Sequence, residues 1–522
     1  MMQRLTQPVS DRRRQLLLCF ACVFLWGIAA HGYGFMHSNF SHDSLLEFNG
    51  DGLSDRIRIR NGRFAAPIYR LLFRTPMTLP WLVGLLGLIW IALTVYLLVR
   101  MFRCAAPGEI GLIAGFMTVN LTVSAVAATF QHDFDCDMLA LLFSTAAVFF
   151  WNRRRRDFPA GVMCVVLSLG LYQSYICVTI VLMLYVCILE LLDGEKAGRV
   201  ICKGLAGCAM LLLGGLIYYV LMKTAARLTG LSMLENAYNS LDRPAQWLSK
   251  SWFDFRYQLR ETYQLYFTRI IQVLSPLPIL TRTATVLLLA ATAGMLLIGI
   301  ASGQVGWKEK LLILVLTALV PFGGNLMHFI TLGSASHELM TYAYWLIYLL
   351  PLLLAARLPR WLPREKVRRP IAWARGLCAL LTALLVYAGV QTANVFYLKK
   401  DLEQKAYLSV MTRVVYRMEQ TEGYQPGQTP VVIVGLPQQL NESIPGFDAY
   451  RNPNGMYMTD VLNYGDSGHW AAYFKYVLLN PAKITDGSSM YADPRVQALP
   501  CYPDKGCTAI LDGTLYVKLS EP

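Results

Sequence analysis

Charge is scarce in this chain. Only 15% of its 522 residues are Asp, Glu, Lys or Arg, against 55% hydrophobic residues, whereas a soluble domain carries about a quarter charged residues. A surface that poor in charge excludes a soluble enzyme, a soluble nucleic-acid-binding protein and a disordered chain. Acids are scarcer still, 33 against 47 Lys and Arg, for a net charge of +14. In a membrane protein that excess marks cytoplasmic loops and implies no nucleic acid. There is no Gly-x-x-x-x-Gly-Lys run and no dinucleotide fingerprint after a strand, so no nucleotide-binding motif is visible. There is no internal repeat, a feature that many alternating-access transporters show. No small-x-small cleavage site follows the first apolar run, 15–35, which therefore reads as a membrane helix and not as a cleaved signal.

What the chain has instead is a series of apolar runs of about 20 residues, enough for a helix to cross roughly 30 Å of hydrocarbon. They predict a polytopic α-helical membrane protein with about 11 transmembrane helices. The spans fall at 15–35, 78–99, 111–130, 138–152, 158–172, 176–192, 204–222, 283–301, 311–331, 340–357 and 376–396. Basic residues alternate between the loops. Arg12–Arg14, Arg100 and Arg103, Arg153–Arg156, Lys196 to Lys203, Lys308 and Lys310, and the run from Arg357 to Arg375 fall on one side. The short loops of the other side, 131–137, 172–176 and 332–339, hold no Lys or Arg. This alternation predicts a cytoplasmic N-terminus and an extracytoplasmic C-terminus. Residues 1–396 then form a transmembrane module with outer loops 36–77 and 223–282. Residues 397–522 form a small extracytoplasmic α/β C-terminal domain, with strand-like runs at 429–435 and 509–519 between Pro-, Gly- and Asn-rich turns. Loop 223–282 interleaves aromatic residues with charges, which suits amphipathic helices at the membrane surface, either as an anchor or as a contact for a lipid carrier. Cys501 and Cys507 lie close together in the polar tail and can pair if it faces an oxidising compartment.

Ionisable residues are almost absent from mid-span, which counts against an ion-coupled transporter. They gather at the predicted outer boundary. The first group contains His42, Asp43 and Glu47, followed in the same loop by Arg56, Arg58, Arg60 and Arg63. A carboxylate beside arginines at a lipid surface suits phosphate chemistry. Arginine holds an anionic leaving group bidentately, and a carboxylate accepts the proton of an attacking hydroxyl. A solvated polar loop has the same composition. The second group is His132, Asp133, Asp135 and Asp137. Three acids in so short a loop repel, and a cation, an arginine or an acceptor sugar must compensate. Spaced aspartates can hold a hard cation, but this spacing matches no specific metal loop, so the metal is left unassigned. Tyr172 and Gln173, at the next outer turn, either line a sugar pocket or belong to an aromatic interface belt. Lys518, on a terminal strand, reads from pattern alone as a surface residue.

The order of these motifs resembles the GT-C superfamily of membrane-embedded glycosyltransferases and, more closely, the GtrII-type bacterial glucosyltransferases. The residues that carry the resemblance are His42-Asp43, the Gly62-Arg63-Phe64 turn, the Asp133–Asp137 loop, Tyr172-Gln173, and the tail from Tyr491 through Tyr516-Val517-Lys518-Leu519. The family often has a second acid where Ser44 stands, and a Trp where Phe64 stands. The resemblance implies a GT-C-like fold in the bacterial plasma (inner) membrane. It implies an inverting hexosyltransferase that moves glucose from a polyprenyl-phosphate hexose to a surface glycan acceptor such as O-antigen, on the outer face of the bilayer. A polyprenyl-phosphate sugar synthase and a flippase would supply the donor. No cofactor is required by the sequence, and a divalent cation is compatible with it. By the same resemblance Asp43 is the catalytic base with Glu47 as the other candidate acid. Arg63, Arg60 and Lys518 hold the donor phosphate, and His42, Asp133, Asp135, Asp137, Tyr172 and Gln173 surround sugar and acceptor. The rival classes are a flippase for lipid-linked sugars, a polymerase or ligase with a pyrophosphate lipid donor, and a non-catalytic scaffold.

Overall fold

A computed structural model of the chain describes residues 11–37, 41–47, 52–75, 78–233, 246–272, 275–302, 305–333, 337–362, 368–437, 462, 467–486 and 491–521, and excludes the side chains of His42, Asp43, Leu46, Leu248, Arg368 and Ser467. The protein is mostly helical. In chain order the helices are α1 (Arg12–Met36), α2 (His42–Glu47), α3 (Leu53–Arg60), α4 (Ala65–Phe73), α5 (Pro80–Phe102), α6 (Pro107–Val119), α7 (Leu121–Thr129), α8 (Phe134–Arg153), α9 (Phe158–Leu171) and α10 (Ile176–Leu192). They continue with α11 (Ala197–Leu228), α12 (Trp252–Ile271), α13 (Pro278–Ala301), α14 (Trp307–Gly324), α15 (Leu326–Ile330), α16 (Leu349–Trp361), α17 (Arg368–Glu419) and α18 (Ser467–Ala472).

Among the described residues, nine helices are long and apolar enough to cross a membrane, against about eleven expected. The other two expected spans are helical but fall short of that standard. α9 has 14 residues, about 21 Å at 1.5 Å per residue. α14 opens on Lys308-Glu309-Lys310, contains Pro321 and gives way at Asn325 to the five-residue α15. Glycines set close approaches within the bundle. A Cβ on Gly87 of α5 would run into the ring of Phe134, the first residue of α8, so these two helices pack at backbone distance, as small residues permit in membranes.

The chain crosses the expected 396/397 boundary inside one helix, α17, whose 52 residues span about 78 Å, well beyond a bilayer core. Its far half presents Tyr407, Met411, Val414 and Met418 at helical spacing, all fully buried. They pack against a four-stranded sheet of order β2-β1-β4-β3, built from β1 (Pro430–Val434), β2 (Lys483–Ile484), β3 (Thr508–Leu511) and β4 (Thr514–Lys518). β1 runs parallel to β2 and β4, and β3 and β4 form an antiparallel hairpin. Its turn, Asp512-Gly513, has positive φ at both residues, the tight-hairpin geometry. Cys501 and Cys507 precede this hairpin as unbridged thiols.

Leu45 of α2 is fully buried in the same apolar cluster as that sheet, with Trp470, Phe474, Leu515 and Val517. α18 packs against α2. The C-terminal segment therefore grips the helix that follows the first span.

Candidate functional site

Three loops far apart in sequence meet at one end of the bundle, and a local cap fixes the first of them. Ser41 and Ser44 exchange backbone and side-chain hydrogen bonds at the start of α2: Ser44 N–H donates to Ser41 Oγ at 3.2 Å and Ser41 N–H to Ser44 Oγ at 2.7 Å. This reciprocal pattern is that of a capping box, and it gives Ser44 a structural task. α2 is thus held at its start by the cap, at its middle by Leu45 and at its end by Glu47. The side chains of His42 and Asp43 lie outside the described residues.

Glu47 is buried and heavily engaged. It accepts from Arg58 Nη2 at 2.8 Å, from Thr78 Oγ1 at 2.6 Å and from Ser54 Oγ at 3.3 Å, and it pairs with Arg70 at 2.8 Å. Burial pushes its carboxyl upward, but His132, Arg58 and Arg70 together outweigh that and hold it below the usual carboxylate range. A carboxylate so committed anchors arginines and is poorly placed to take a proton from an acceptor.

The compensation that the acidic loop needs comes from arginine. Arg58 donates to Asp133 Oδ1 from Nε at 2.9 Å and from Nη2 at 2.7 Å. It also donates from Nη1 to Ser54 Oγ at 2.9 Å and Asp55 Oδ1 at 3.3 Å. With Glu47, all five of its N–H donors are used. Arg74 grips Asp135 in a fork, Nε to Oδ2 at 2.9 Å and Nη2 to Oδ1 at 3.2 Å, with both side chains fully buried. Arg70 and Arg74, four residues apart around the last turn of α4, were not singled out from sequence. Their signal was the i, i+4 spacing of two arginines in an otherwise apolar helix.

The Gly62-Arg63-Phe64 turn ends α3. Gly62 has φ 78°, and the Arg63 N–H returns to the Arg58 carbonyl at 2.8 Å, a glycine C-cap that only a residue without Cβ adopts cheaply. The cap turns Arg63 out of the helix and onto the ring of Tyr172, 4.2 Å from its centroid. Gln173 Nε2 donates to the Asn61 carbonyl at 2.7 Å and to Tyr218 Oη at 2.9 Å, and the Tyr218 hydroxyl donates to the Gly62 carbonyl at 3.2 Å. Phe64 stacks on Tyr218. The two short motifs, 62–64 and 172–173, are therefore two halves of one contact. Tyr218, ten residues before the end of α11, had no sequence signal.

Arg63 and Asp137 differ from the rest of the cluster. Arg63 reaches Asp133 only at 3.4 Å, and its side chain is 20% exposed, against 4% for Arg58. Asp137 is buried at 3% on the first turn of α8, within electrostatic reach of Arg63 and of Tyr175. Among the described residues its side chain forms no ion pair and no hydrogen bond. Among those residues, too, no group of three or more His, Cys, Asp or Glu side chains is placed to hold a metal ion.

Two other sequence candidates sit elsewhere. Arg60 points its Nε at the Ser232 carbonyl, 3.2 Å away, on the exposed side of α3. Lys518 lies in β4, where side chains alternate between faces. Leu515 and Val517 face the cluster with Leu45, while Tyr516 faces the opposite cluster with Val496, and Lys518 shares its parity. Its ammonium is held by the Gln497 carbonyl at 2.8 Å and Glu521 at 3.0 Å. The sheet thus turns Lys518 away from the first loop.

Fold and cluster together define a polytopic membrane protein with a charge-balanced polar site at one end of its helices. The family is specific: the model described as Glucosyl transferase GtrII matches residues 32–355, and the chain belongs to this glucosyltransferase family. The match takes in every residue of the cluster and stops before α17 and the C-terminal sheet. No curated protein and no solved structure matches the chain.

Proposed function

We propose that this glucosyltransferase takes its hexose from a polyprenyl-phosphate carrier and transfers it to a surface glycan on the outer face of a bacterial plasma membrane. The cluster end of the bundle is then the extracytoplasmic end, and two of the loops that meet there, 131–137 and 172–176, are among those without Lys or Arg. What supports the reading most is the uneven commitment within the cluster. Glu47, Asp133, Asp135, Arg58 and Arg74 engage one another and build a frame, while Arg63, 20% exposed, and Asp137, whose side chain has no ion pair, lie within electrostatic reach of each other. Arg63 binds the phosphate of the donor, and Asp137, with Gln173 and the Tyr172 ring, takes the sugar hydroxyls. Asp43, on the helix clamped at three points, is the base. The acceptor oxygen attacks C1 and forms the new glycosidic bond, its proton passes to the Asp43 carboxylate, and the bond from C1 to the phosphate oxygen breaks to release polyprenyl phosphate. Attack opposite the leaving group inverts the anomeric centre, and one base suffices, unlike the two-carboxylate retaining route.

The test is donor choice. Purified protein in nanodiscs is offered labelled glucose on polyprenyl phosphate, on a nucleoside diphosphate, or within a polyprenyl-pyrophosphate oligosaccharide, together with crude surface glycan. Transfer from the first donor alone is expected. Transfer only from the pyrophosphate oligosaccharide would replace the proposal with a polymerase or ligase.

A further inference from the structure

At the opposite end of the bundle, α5, α8, α10 and α16, three of which start beside the cluster, finish around a polar cavity of about 420 Å³, within the size range of small-ligand pockets. Arg103, Glu190, Asp193, Glu195, Arg357 and Arg360 line it, over a floor that includes Phe102 and Leu189. The charges are not balanced within it. Each acid already has a cation: Asp193 pairs with Arg357 at 3.1 Å, Glu190 with Lys203 at 2.5 Å and Glu195 with Arg199 at 2.8 Å. Arg103 and Arg360 have no acid within ion-pair distance among the described residues. Arg103 is held in place by its backbone: it caps α5 in the left-handed conformation, φ 59°. The Trp151 ring under Lys203 Nζ, 5.0 Å from its centroid, and the Asn152 carboxamide that Lys203 also meets keep that lysine on its own acid.

We propose that this cavity binds a phosphate group through Arg103 and Arg360, independently of the transferase site at the other end. Two guanidinium groups without acids, beside an apolar floor at the end of membrane helices, match phosphate chemistry, and basic pockets between helix ends are known lipid-headgroup sites. The phosphate comes either from an anionic phospholipid of the adjacent leaflet or from a soluble phosphate compound, and the experiment separates the two.

Thermal unfolding is followed for wild type in nanodiscs of zwitterionic lipid, titrated with phosphatidylglycerol in one arm and inorganic phosphate in the other. The same titrations are run on Arg103→Gln/Arg360→Gln and on Arg154→Gln/Arg155→Gln, a control pair of exposed arginines outside the cavity. Stabilisation of wild type and of the control, with a midpoint shifted roughly 10- to 30-fold in the cavity variant, supports the site. A response to phosphatidylglycerol alone assigns it to a lipid headgroup, and a response to both ligands to phosphate in general. No stabilisation in either arm, or an equal shift in the control pair, overturns it.

Discussion

Replacing Arg58 with Met should destabilise the protein strongly while leaving every membrane helix intact. The guanidinium is 4% exposed and spends five donors on Asp133, Glu47, Ser54 and Asp55. Breaking a buried pair from one side costs roughly 3–5 kcal/mol, because a charge is left uncompensated. The structure says which charge. Glu47 keeps Arg70 and Thr78, whereas Asp133 keeps only the 3.4 Å contact to Arg63 and the 3.6 Å approach of His132 as ion-pair partners. Most of the loss should therefore trace to Asp133. Arg58→Lys retains charge but offers three donors in place of the five-donor fork, so about 1.5–3 kcal/mol is expected. Thermal exposure of Cys136, buried at 1% beside this network, gives the readout through a thiol-reactive fluorophore. Arg58→Met should melt well below wild type, and adding Asp133→Asn should restore part of the difference. An Arg58→Met protein that melts with wild type, or a double variant that loses the full sum of the single losses, would refute this account of the cluster.

Arg63→Ala should lower melting less than loss of Arg58, since its side chain is more exposed and its ion contact to Asp133 is longer, yet raise the apparent KM for donor at least about tenfold; melting curves and steady-state kinetics check the two, with partial rescue by Arg63→Lys. Asp137→Asn should melt near the wild-type temperature, because its buried side chain gives up no ion pair, while transfer is lost; a much lower melting temperature would make Asp137 a structural residue. Glu47→Gln should be destabilised at neutral pH. Because the folded carboxyl is held below its unfolded value of about 4.3, its contribution is present above that pH and disappears as pH falls through the folded value, so the gap to wild type should close in acid melts. Leu45→Ala leaves a cavity in the C-terminal cluster worth about 2–5 kcal/mol and should speed proteolysis after residue 419 and slow transfer together.

The membrane class, most of the spans and the loops that meet at the cluster were legible because length and hydropathy dominate such helices. The alternation of basic residues sorted 131–137 and 172–176 to one side, and the structure brings both to the first loop. Short spans were less legible. α9 has the composition of a span but only 14 residues, and the break at Asn325 is set by packing against α12, whose Thr262 carbonyl accepts from Asn325 at 2.8 Å. In the site, sequence found the acids but left three answers to what neutralises them. Arginine is the answer for Asp133 and Asp135, and it depends on contacts 61 to 75 residues apart, which no local pattern encodes. The face that Lys518 takes was illegible for a related reason: an alternating strand gives two faces, and only the tertiary fold says which one meets the first loop.

The central claim is that the helix carrying Asp43, clamped between the arginine frame and the C-terminal sheet, is where sugar transfer takes place. The direct measurement is transfer of labelled glucose from polyprenyl phosphate to glycan by wild type and Asp43→Asn at matched abundance and melting temperature. The account predicts transfer by wild type and none by the variant. Equal transfer by both would contradict it, as would label that crosses the bilayer still attached to its carrier.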